Sequence, residues 1–293
     1  MIRPGAAAIN PQIQEKVTAL NTIGISSACY YPQLTETSFQ KVCESGAKTA
    51  EIFFNAESEL KPSFLRQLND MRLSYGVKIA SVHPFSSFTE SNYLFSGYER
   101  RFWDTLPLYE RFFEAANILG ARIFVLHGIR NISKTADDVY FERFARIQEL
   151  AGQYQVIFAQ ENVVQHRSES PEFLLKMKKA LGGQLSTVFD LKQARRAGVD
   201  IYEHLKAVGD TICHVHISDC LPERDCVPPG EGDFAFARFF RAMNKIGYGG
   251  KYIIELYSNG YQSEEEIVQS LHFLQKVKYA VDTENGGLAP PCE

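Results

Sequence analysis

The sequence predicts an α/β protein with a single (β/α)8 barrel domain, and three observations support this fold. Eight short apolar, β-rich runs alternate with segments in which apolar residues have helical spacing, the pattern of successive βαβ units. The chain has 293 residues, and a barrel commonly takes about 250 residues as one domain. Because no Pro/Gly/Ser-rich linker divides the chain, we expect a barrel over residues 21–282, an N-terminal extension over 1–20 and a tail over 283–293.

The strand-like runs follow one another at intervals that leave room for helices. The first four read TIGISSACYY (22–31), TAEIFF (49–54), KIASVHPF (78–85) and RIFVLHG (122–128). The second four read QVIFAQENV (155–163), LSTVFDL (185–191), TICHVHISD (211–219) and KYIIELYS (251–258). An open doubly wound sheet is the alternative, but no G-x-G-x-x-G motif follows the first run, so a dinucleotide-binding fold has little support.

Two of the intervening segments have a clear apolar helical face. Between the third and fourth runs, one face is formed by Leu108, Phe112, Ala115, Ala116 and Leu119. Near the C-terminal end, the apolar residues three or four apart are Ile267, Leu271, Leu274 and Val277. Glutamates at 264–266 stand at the start of that segment, where the helix dipole favours negative charge.

Composition excludes some classes of protein and favours others. The net charge is -4, from 31 basic and 35 acidic residues, so the chain lacks the overall basic character of many nucleic-acid binders. Six cysteines without a framework spacing indicate reduced thiols. No apolar run approaches about 18 residues, and no signal-peptide core is present at the N-terminus. We therefore expect a soluble, cytoplasmic protein with no membrane partner.

Polar residues stand at or near the ends of six of the strand-like runs. They are His83, His127, Glu161, Asp190, His216 and Glu255. In such barrels the chemistry lies at the C-terminal ends of the strands. A single histidine after an apolar run is usually structural, but six such residues at one rim are hard to attribute to packing. Because unpaired buried carboxylates are costly and a divalent cation neutralises them, the pattern predicts a metal site.

The run CHVHISD contains two histidines that point to the same side of a strand. His214 and His216 are two residues apart, about 6.6 Å along a strand, so His214 lies one layer deeper. We expect His216 to be a ligand at the rim. His214 is expected to fill the inner layer or to orient a partner of the site.

Seven motifs occur in an order and spacing that indicate a known superfamily. They are VHPF, LGARIFVLHG, QENV, FDLKQARRAGVD, HVHISD, PPGEGDFAF and YIIELY. From about Thr22 to Ala280 the chain resembles the xylose isomerase-like TIM barrels, a superfamily of sugar isomerases and epimerases with endonuclease IV-type repair enzymes (AP endonuclease family 2). The resemblance implies that the PGEG turn at 229–232 helps to shape the pocket.

The resemblance also implies roles for the residues at the rim. Glu161, Asp190, His216 and Glu255 match the four metal ligands of the sugar epimerases. His83 and His127 match ligands of a second metal in the repair enzymes, and they are candidates for that role or for substrate binding. Glu161 and Glu255 would form the acid/base pair that moves a proton next to a carbonyl through a metal-bound enediolate, without an organic cofactor.

Two departures from the family pattern concern the repair branch. The family often has D-x-x-H after strand six, but Gln193 stands in the place of that histidine. The repair branch has D-x-H before its GEG turn, and the residues here are Asp225, Cys226 and Val227. Both changes remove ligands of the third metal in that branch. Together with the net charge, they argue against nucleic acid as a partner.

The donor set determines which metal is expected. Three carboxylates and one imidazole favour Mn²⁺, Mg²⁺ or Co²⁺, and Zn²⁺ becomes plausible if the two further histidines join. For the substrate, Gln193, Arg224, Phe85 and Trp103 are the candidate binding residues. The aromatic residues of the loop after the third run, which also contains Phe88 and Phe95, could instead pack the barrel mouth or a subunit contact. Arg224 could bind a phosphate or carboxylate, or be solvated.

Three function classes remain open at this stage. The favoured one is a metal-dependent sugar isomerase or epimerase acting on a small sugar or sugar derivative, with self-association possible. The second is a hydrolase or lyase of the same barrel, including the nuclease branch. The third is a metabolite-binding protein without activity. The pair of glutamates favours an enzyme, because a binding protein has no need of two metal-bound glutamates.

Overall fold

Eight parallel strands close into a barrel in the structure, a computed structural model that describes residues 22–286. The eight barrel strands are β1 (Ile23–Ser26), β2 (Thr49–Phe53), β3 (Lys78–His83), β4 (Ile123–Leu126), β5 (Ile157–Glu161), β6 (Thr187–Asp190), β7 (Ile212–Ile217) and β10 (Lys251–Ile254), and the two further strands are β8 (Asp219–Leu221) and β9 (Arg224–Val227). The barrel order is β1-β10-β7-β6-β5-β4-β3-β2, and β8 and β9 form a separate antiparallel hairpin. The predicted (β/α)8 barrel is confirmed.

Each of the eight predicted runs contains one barrel strand, although the first is much shorter than its run. β1 ends at Ser26, and Ser27–Tyr30 forms a 3-10 turn. The hydroxyl of Ser26 accepts a hydrogen bond from the backbone N–H of Ala28 at 3.2 Å. This local side-chain cap competes with continued strand pairing and turns the chain away from the barrel.

Helices surround the barrel and supply its outer layer. They are α1 (Thr35–Glu44), α2 (Pro62–Tyr75), α3 (Glu90–Tyr93), α4 (Glu99–Leu119), α5 (Asp137–Gln153), α6 (Pro171–Ala180), α7 (Leu191–Arg196), α8 (Ile201–Val208), α9 (Phe236–Lys245) and α10 (Glu264–Gly286). The last helix continues past residue 282, so it includes the first residues of the predicted tail. The predicted extension over 1–20 lies outside the described residues.

The apolar faces of α4 and α10 pack on the barrel as their spacing predicts. Phe112 and Leu119 of α4 and Ile267 and Leu274 of α10 are completely buried. A second, smaller apolar cluster is formed by Ile123, Val125, Ala159 and Val188. Burying a large apolar side chain stabilises the fold by about 1.5–3 kcal/mol. In the part of the chain that the structure describes, no helix has the length and hydropathy needed to cross a membrane.

Candidate metal centre

The six polar residues at the strand ends converge on one mouth of the barrel. His83, Glu161 and Asp190 are the last residues of β3, β5 and β6. His216 is the penultimate residue of β7, paired in register with Asp190. His127 and Glu255 directly follow β4 and β10. Because parallel strands place their carboxyl ends at the same side, the fold brings all six together.

Four of these residues form a compact buried cluster. Glu161, Asp190, His216 and Glu255 each offer one ligand atom, and these atoms lie within 4.8 Å of one another. Nδ1 of His216 is 3.1 Å from Oε1 of Glu161 and 3.6 Å from Oε2 of Glu255. It is 3.9 Å from Oδ2 of Asp190. These four side chains are close enough together to hold one metal ion between them.

A second group shares one member with the first. Nε2 of His127 is 3.1 Å from Oε2 of Glu161, and Nε2 of His83 is 3.9 Å from the same oxygen. The two Nε2 atoms of His83 and His127 are 3.0 Å apart. Two imidazoles and one carboxylate of this geometry can also hold a cation, with Glu161 common to both groups.

Two buried oxygens in the first cluster show that its residues fit a cation. Oε2 of Glu161 and Oδ2 of Asp190 accept no hydrogen bond from any described residue, although ion-pair partners lie nearby. Buried carboxylates are costly without a counter-charge; Lys192 supplies one at Asp190, and a divalent cation would supply one to the whole cluster. Three carboxylates and one imidazole suit Mn²⁺, Mg²⁺ or Co²⁺, and the adjacent imidazoles would suit Zn²⁺.

Glu51 lies beneath the cluster and was missed by the sequence analysis. Its Oε2 is 3.0 Å from Nε2 of His216 and accepts a hydrogen bond from the hydroxyl of Ser81 at 2.7 Å. Ser26 donates to the other oxygen at 3.0 Å. Because Glu51 engages Nε2, it directs Nδ1 of His216 towards the three carboxylates, the arrangement of a carboxylate that orients a metal-binding imidazole. The available signal was a charged residue in the middle of the apolar run TAEIFF.

Lys192 was also missed, although it contacts the cluster directly. Its ammonium is 2.9 Å from Oδ2 of Asp190 and 2.7 Å from Oε2 of Glu255. The side chain enters the site because α7 begins immediately after Asp190, whose carboxylate caps this helix by accepting from the N–H of Gln193 at 3.1 Å. A lysine two residues after the aspartate in FDLKQ was the only sequence signal.

Burial and charge shift the pKa values of the cluster in opposite directions. Burial disfavours a charged His216, but the charges of Glu51 and Glu255 outweigh burial and raise its pKa well above the usual range. Burial, with the charges of Glu161 and Glu255, raises the pKa of Asp190 to about 6 against the opposing effect of Lys192. Because a metal ligand must be an unprotonated nitrogen, the raised pKa of His216 would make cation binding at this residue depend on pH.

The pKa values of the two histidines in the second group shift in opposite directions. Burial, together with the charge of His127, lowers the pKa of His83 to about 4. Burial acts in the same direction on His127, but its interaction with Glu161 prevails and raises its pKa. At neutral pH His83 is an uncharged ring that can donate or accept one hydrogen bond at each nitrogen, depending on its tautomer.

The loop that carries His127 is held by a buried acid and a required glycine. Oε2 of Glu90 accepts a hydrogen bond from the N–H of Gly128 at 2.7 Å. Gly128 has φ of +82°, and a Cβ there would approach the hydroxyl of Tyr140 to 2.4 Å. Burial raises the pKa of Glu90 to about 7. These contacts fix the backbone that presents His127 to the barrel mouth.

His214 occupies the layer beneath His216, as its position in the strand predicts. It is completely buried, and its Nε2 is 3.0 Å from the hydroxyl of Ser81. Because that hydroxyl donates its hydrogen to Glu51, it accepts from N–H at Nε2 of His214. Nδ1 is then unprotonated, and no described residue bonds to it.

Several residues predicted to bind substrate have other partners. Gln193 is buried, and its Oε1 accepts from the N–H of Val164 at 3.1 Å, so it braces the loop after β5. Arg224 is exposed and donates to the carbonyl of Gly260 at 2.7 Å. Both side chains support loops around the mouth, and their roles towards a substrate stay predictions.

The aromatic side chains after β3 are positioned mostly by packing. Phe85 packs on Phe112, with ring centroids 5.2 Å apart, and Phe95 is completely buried. Trp103 donates to Glu99 and stacks against Arg146 on the helical layer. The structure therefore does not bring Trp103 to the cluster, and packing on the helices accounts for Phe85. Phe88 is the most exposed aromatic side chain of this loop, with 85% of its surface exposed.

The loop after β7 is closed by Asp219. Its Oδ2 accepts from the N–H groups of Gly230 and Gly232 at 2.9 and 3.1 Å, and its Oδ1 accepts from the N–H of Phe234 at 3.0 Å. A Cβ at Gly232 would lie 2.4 Å from Oδ1 of Asp219, so glycine is required there. The PGEG turn is thus tied to the end of the strand that carries His216.

Comparisons with known proteins identify the family and support the fold. The sequence family described as xylose isomerase-like TIM barrel matches residues 39–277. An uncharacterized Mycobacterium leprae (strain TN) protein is 24% identical over 282 residues, covering 86% of this chain and 95% of that protein. SgbU of Escherichia coli (strain K12), provisionally named an L-ribulose-5-phosphate 3-epimerase, is 29% identical over 170 residues, covering 50% of this chain and 59% of that protein. A solved D-tagatose 3-epimerase-like protein superposes with a TM-score of 0.75 at 24% identity, covering 90% of this chain and 99% of that one.

Proposed function

The chain belongs to the xylose isomerase-like TIM barrel family, and we propose that it is a sugar isomerase or epimerase. The observation that carries the proposal is the placement of Glu161 and Glu255 in one buried cluster with Asp190 and His216. The names of the similar proteins, which include a 3-epimerase of a sugar phosphate and a 3-epimerase-like protein, point to the same class of reaction.

Proton transfer is the chemistry that the two glutamates support best. One carboxylate would remove a proton from the carbon next to the substrate carbonyl, and the other would return a proton to the resulting enediolate. A divalent cation held by the four residues would polarise the carbonyl as a Lewis acid. Because all four residues are buried, a carbon bound next to them would be shielded from bulk water. His83, which is uncharged at neutral pH, would hydrogen-bond a substrate oxygen.

The proposal also covers the metal, the substrate, the cellular location and the oligomeric state. We propose Mn²⁺, Mg²⁺ or Co²⁺ in the four-residue cluster, and a small sugar or sugar derivative as the substrate. Gln193 and Arg224 would contribute to the walls of the substrate pocket through the loops that they brace. We further expect a cytoplasmic protein, with self-association as a property to be measured.

The runner-up is a hydrolase or lyase of the same barrel, including the nuclease branch. The observation that favours it is the second group of His83, His127 and Glu161, which can hold a further cation. Gln193 opposes it, since an amide that accepts a backbone hydrogen bond stands where the repair enzymes have a histidine ligand. Metal-dependent incision of an abasic-site duplex at low enzyme concentration would favour this alternative over the sugar reaction.

Exchange of solvent deuterium tests the mechanism without requiring the physiological sugar. Mn²⁺-loaded protein incubated with a panel of ketoses in D₂O should incorporate deuterium next to the carbonyl, measured by NMR. Glu161→Gln and Glu255→Gln should each slow this exchange by about 10²–10⁴-fold, the usual contribution of a general acid or base. The matched control is Glu223→Gln, a change of an exposed glutamate in the β8–β9 hairpin.

Metal content must be measured alongside the exchange rate, because either change could also weaken cation binding. A variant that keeps its metal but loses exchange supports the acid/base role. Wild-type exchange rates in both metal-loaded variants would show that the two-glutamate mechanism is wrong.

A further inference from the structure

Lys192 holds the oxygens that a cation in the cluster would need. Its ammonium lies 2.9 Å from Oδ2 of Asp190 and 2.7 Å from Oε2 of Glu255. These are the oxygens that stand 3.9 and 3.6 Å from Nδ1 of His216. Lys192 therefore contacts the same two carboxylate oxygens that, together with Nδ1 of His216, belong to the proposed metal-binding cluster.

Such a lysine is unusual in its burial as well as in its position. Only 3% of its surface is exposed, and lysines are almost never buried unless they are paired. A divalent ion and an ammonium bound to the same two oxygens would be only a few ångströms apart, where like charges repel strongly in a buried site. The ammonium and the divalent ion therefore compete for Asp190 and Glu255.

Tyr257 offers the lysine a second position. The ammonium already lies 5.0 Å from the centre of the Tyr257 ring, within the range of a cation–π contact. That ring is 43% exposed, and it follows β10 at the same mouth as Glu255. Arg196 also contacts this ring, at 5.3 Å, and donates to its hydroxyl, so a rotation of Lys192 past the ring towards solvent would release the two carboxylates.

We propose that Lys192 is a built-in competitor of the divalent cation: its ammonium neutralises Asp190 and Glu255 in the metal-free protein and moves aside when the ion binds. This inference rests on the proposed four-residue metal centre. It has two consequences, a metal-free protein that is stabilised by the lysine and a metal affinity that is lower than the ligand set alone would give.

The test compares Mn²⁺ affinity by calorimetry in the wild type, Lys192→Met and Lys192→Gln. Both variants remove the competing charge, so both should bind Mn²⁺ roughly tenfold or more tightly than the wild type. Their metal-free forms should unfold at a lower temperature, and Mn²⁺ should raise that temperature by more than in the wild type. The matched control is Lys278→Met, because Lys278 is also buried and is ion-paired with Asp282 at 2.6 Å, within α10.

The outcomes separate this inference from the proposed function. Unchanged or weaker Mn²⁺ binding in both Lys192 variants would overturn the competitor role, since loss of a merely structural contact would not tighten binding. The same would follow if Lys278→Met tightened binding equally. A wild type that binds Mn²⁺ and exchanges deuterium, with no gain in the variants, would leave the proposed function standing without the competitor. Absence of divalent-ion binding in the wild type and in both Lys192 variants would remove both.

Discussion

His214 and His216 stand on the same strand and face the same way, yet they lie in two different environments. His216 is surrounded by Glu51, Glu161 and Glu255, whose charges raise its pKa. His214 lies one step down, where burial lowers its pKa and a hydroxyl is its nearest partner. The step is about 6.6 Å along the strand. The barrel interior thus changes from a charged layer to a packed layer over two residues of β7.

We call the charged layer that contains His216 the upper layer, and the packed layer that contains His214 the lower layer. Changes in the upper layer should affect metal affinity and proton transfer, whereas changes in the lower layer should affect the stability of the fold. The largest effect is expected for His216→Ala. We expect the wild type to carry about one divalent ion per chain, and loss of the imidazole to weaken binding by more than the roughly 10–100-fold typical of outer partners. Elemental analysis of purified, folded protein measures this directly.

Deuterium exchange should disappear together with the metal in His216→Ala. Circular dichroism must show that the variant keeps its helices, because an unfolded protein would lose metal for a trivial reason. An unchanged metal content in a folded His216→Ala variant would show that His216 is not a metal ligand. The two layers would then not differ in the way proposed.

The residues of the upper layer could be predicted because the strand ends of a parallel barrel meet at one side. Once eight alternating runs indicate a barrel, residues at the strand ends must meet, and His83, His127, Glu161, Asp190, His216 and Glu255 do so. The sequence pattern needed no knowledge of side-chain direction beyond strand alternation. This is why residues from six separate strand ends could be grouped in advance.

Glu51 and Lys192 could not be grouped in the same way. Glu51 sits within β2 and meets His216 only because the barrel closes, across 165 residues of sequence. Lys192 belongs to a segment rich in basic residues that resembles a solvated helix start, and its inward direction depends on α7 beginning at Leu191. Trp103 was a candidate for substrate binding or for packing, and in the structure its ring lies against Arg146 on the helical layer.

Glu51 joins the two layers, so its removal should have an intermediate effect. Glu51→Gln keeps the shape of the side chain but removes the charge that orients His216 through Nε2. We expect Mn²⁺ affinity to fall by about 10–100-fold while the protein stays folded, as for other residues that orient a metal ligand. Titration calorimetry measures the affinity, and unchanged affinity would show that the ring of His216 is held without Glu51.

The smallest effect is expected for His214→Gln, and it should fall on stability alone. The variant can keep a hydrogen bond to Ser81 but loses ring volume in a filled layer, so the free energy of unfolding should fall by about 1–2 kcal/mol. Metal affinity and deuterium exchange should stay within roughly twofold of the wild type, because His214 meets the cluster only at its edge, through Glu51 at 3.5 Å and the edge of the His216 ring. A loss of exchange larger than that of His216→Ala would reverse the assignment of the two histidines.

The pH dependence of the same variant provides an independent check on the lower layer. Burial lowers the pKa of His214 in the folded protein, so the unfolded chain binds a proton at this histidine more readily than the folded chain does. Acidification below the ordinary histidine pKa of about 6.5 therefore removes stability from the wild type, and His214→Gln lacks this loss. The difference in free energy of unfolding between the two proteins should be largest above that pH and should shrink as the pH falls through it. Denaturant titrations at a series of pH values measure the difference; one that grows on acidification would mean that His214 is charged in the folded protein and that the lower layer resembles the upper one.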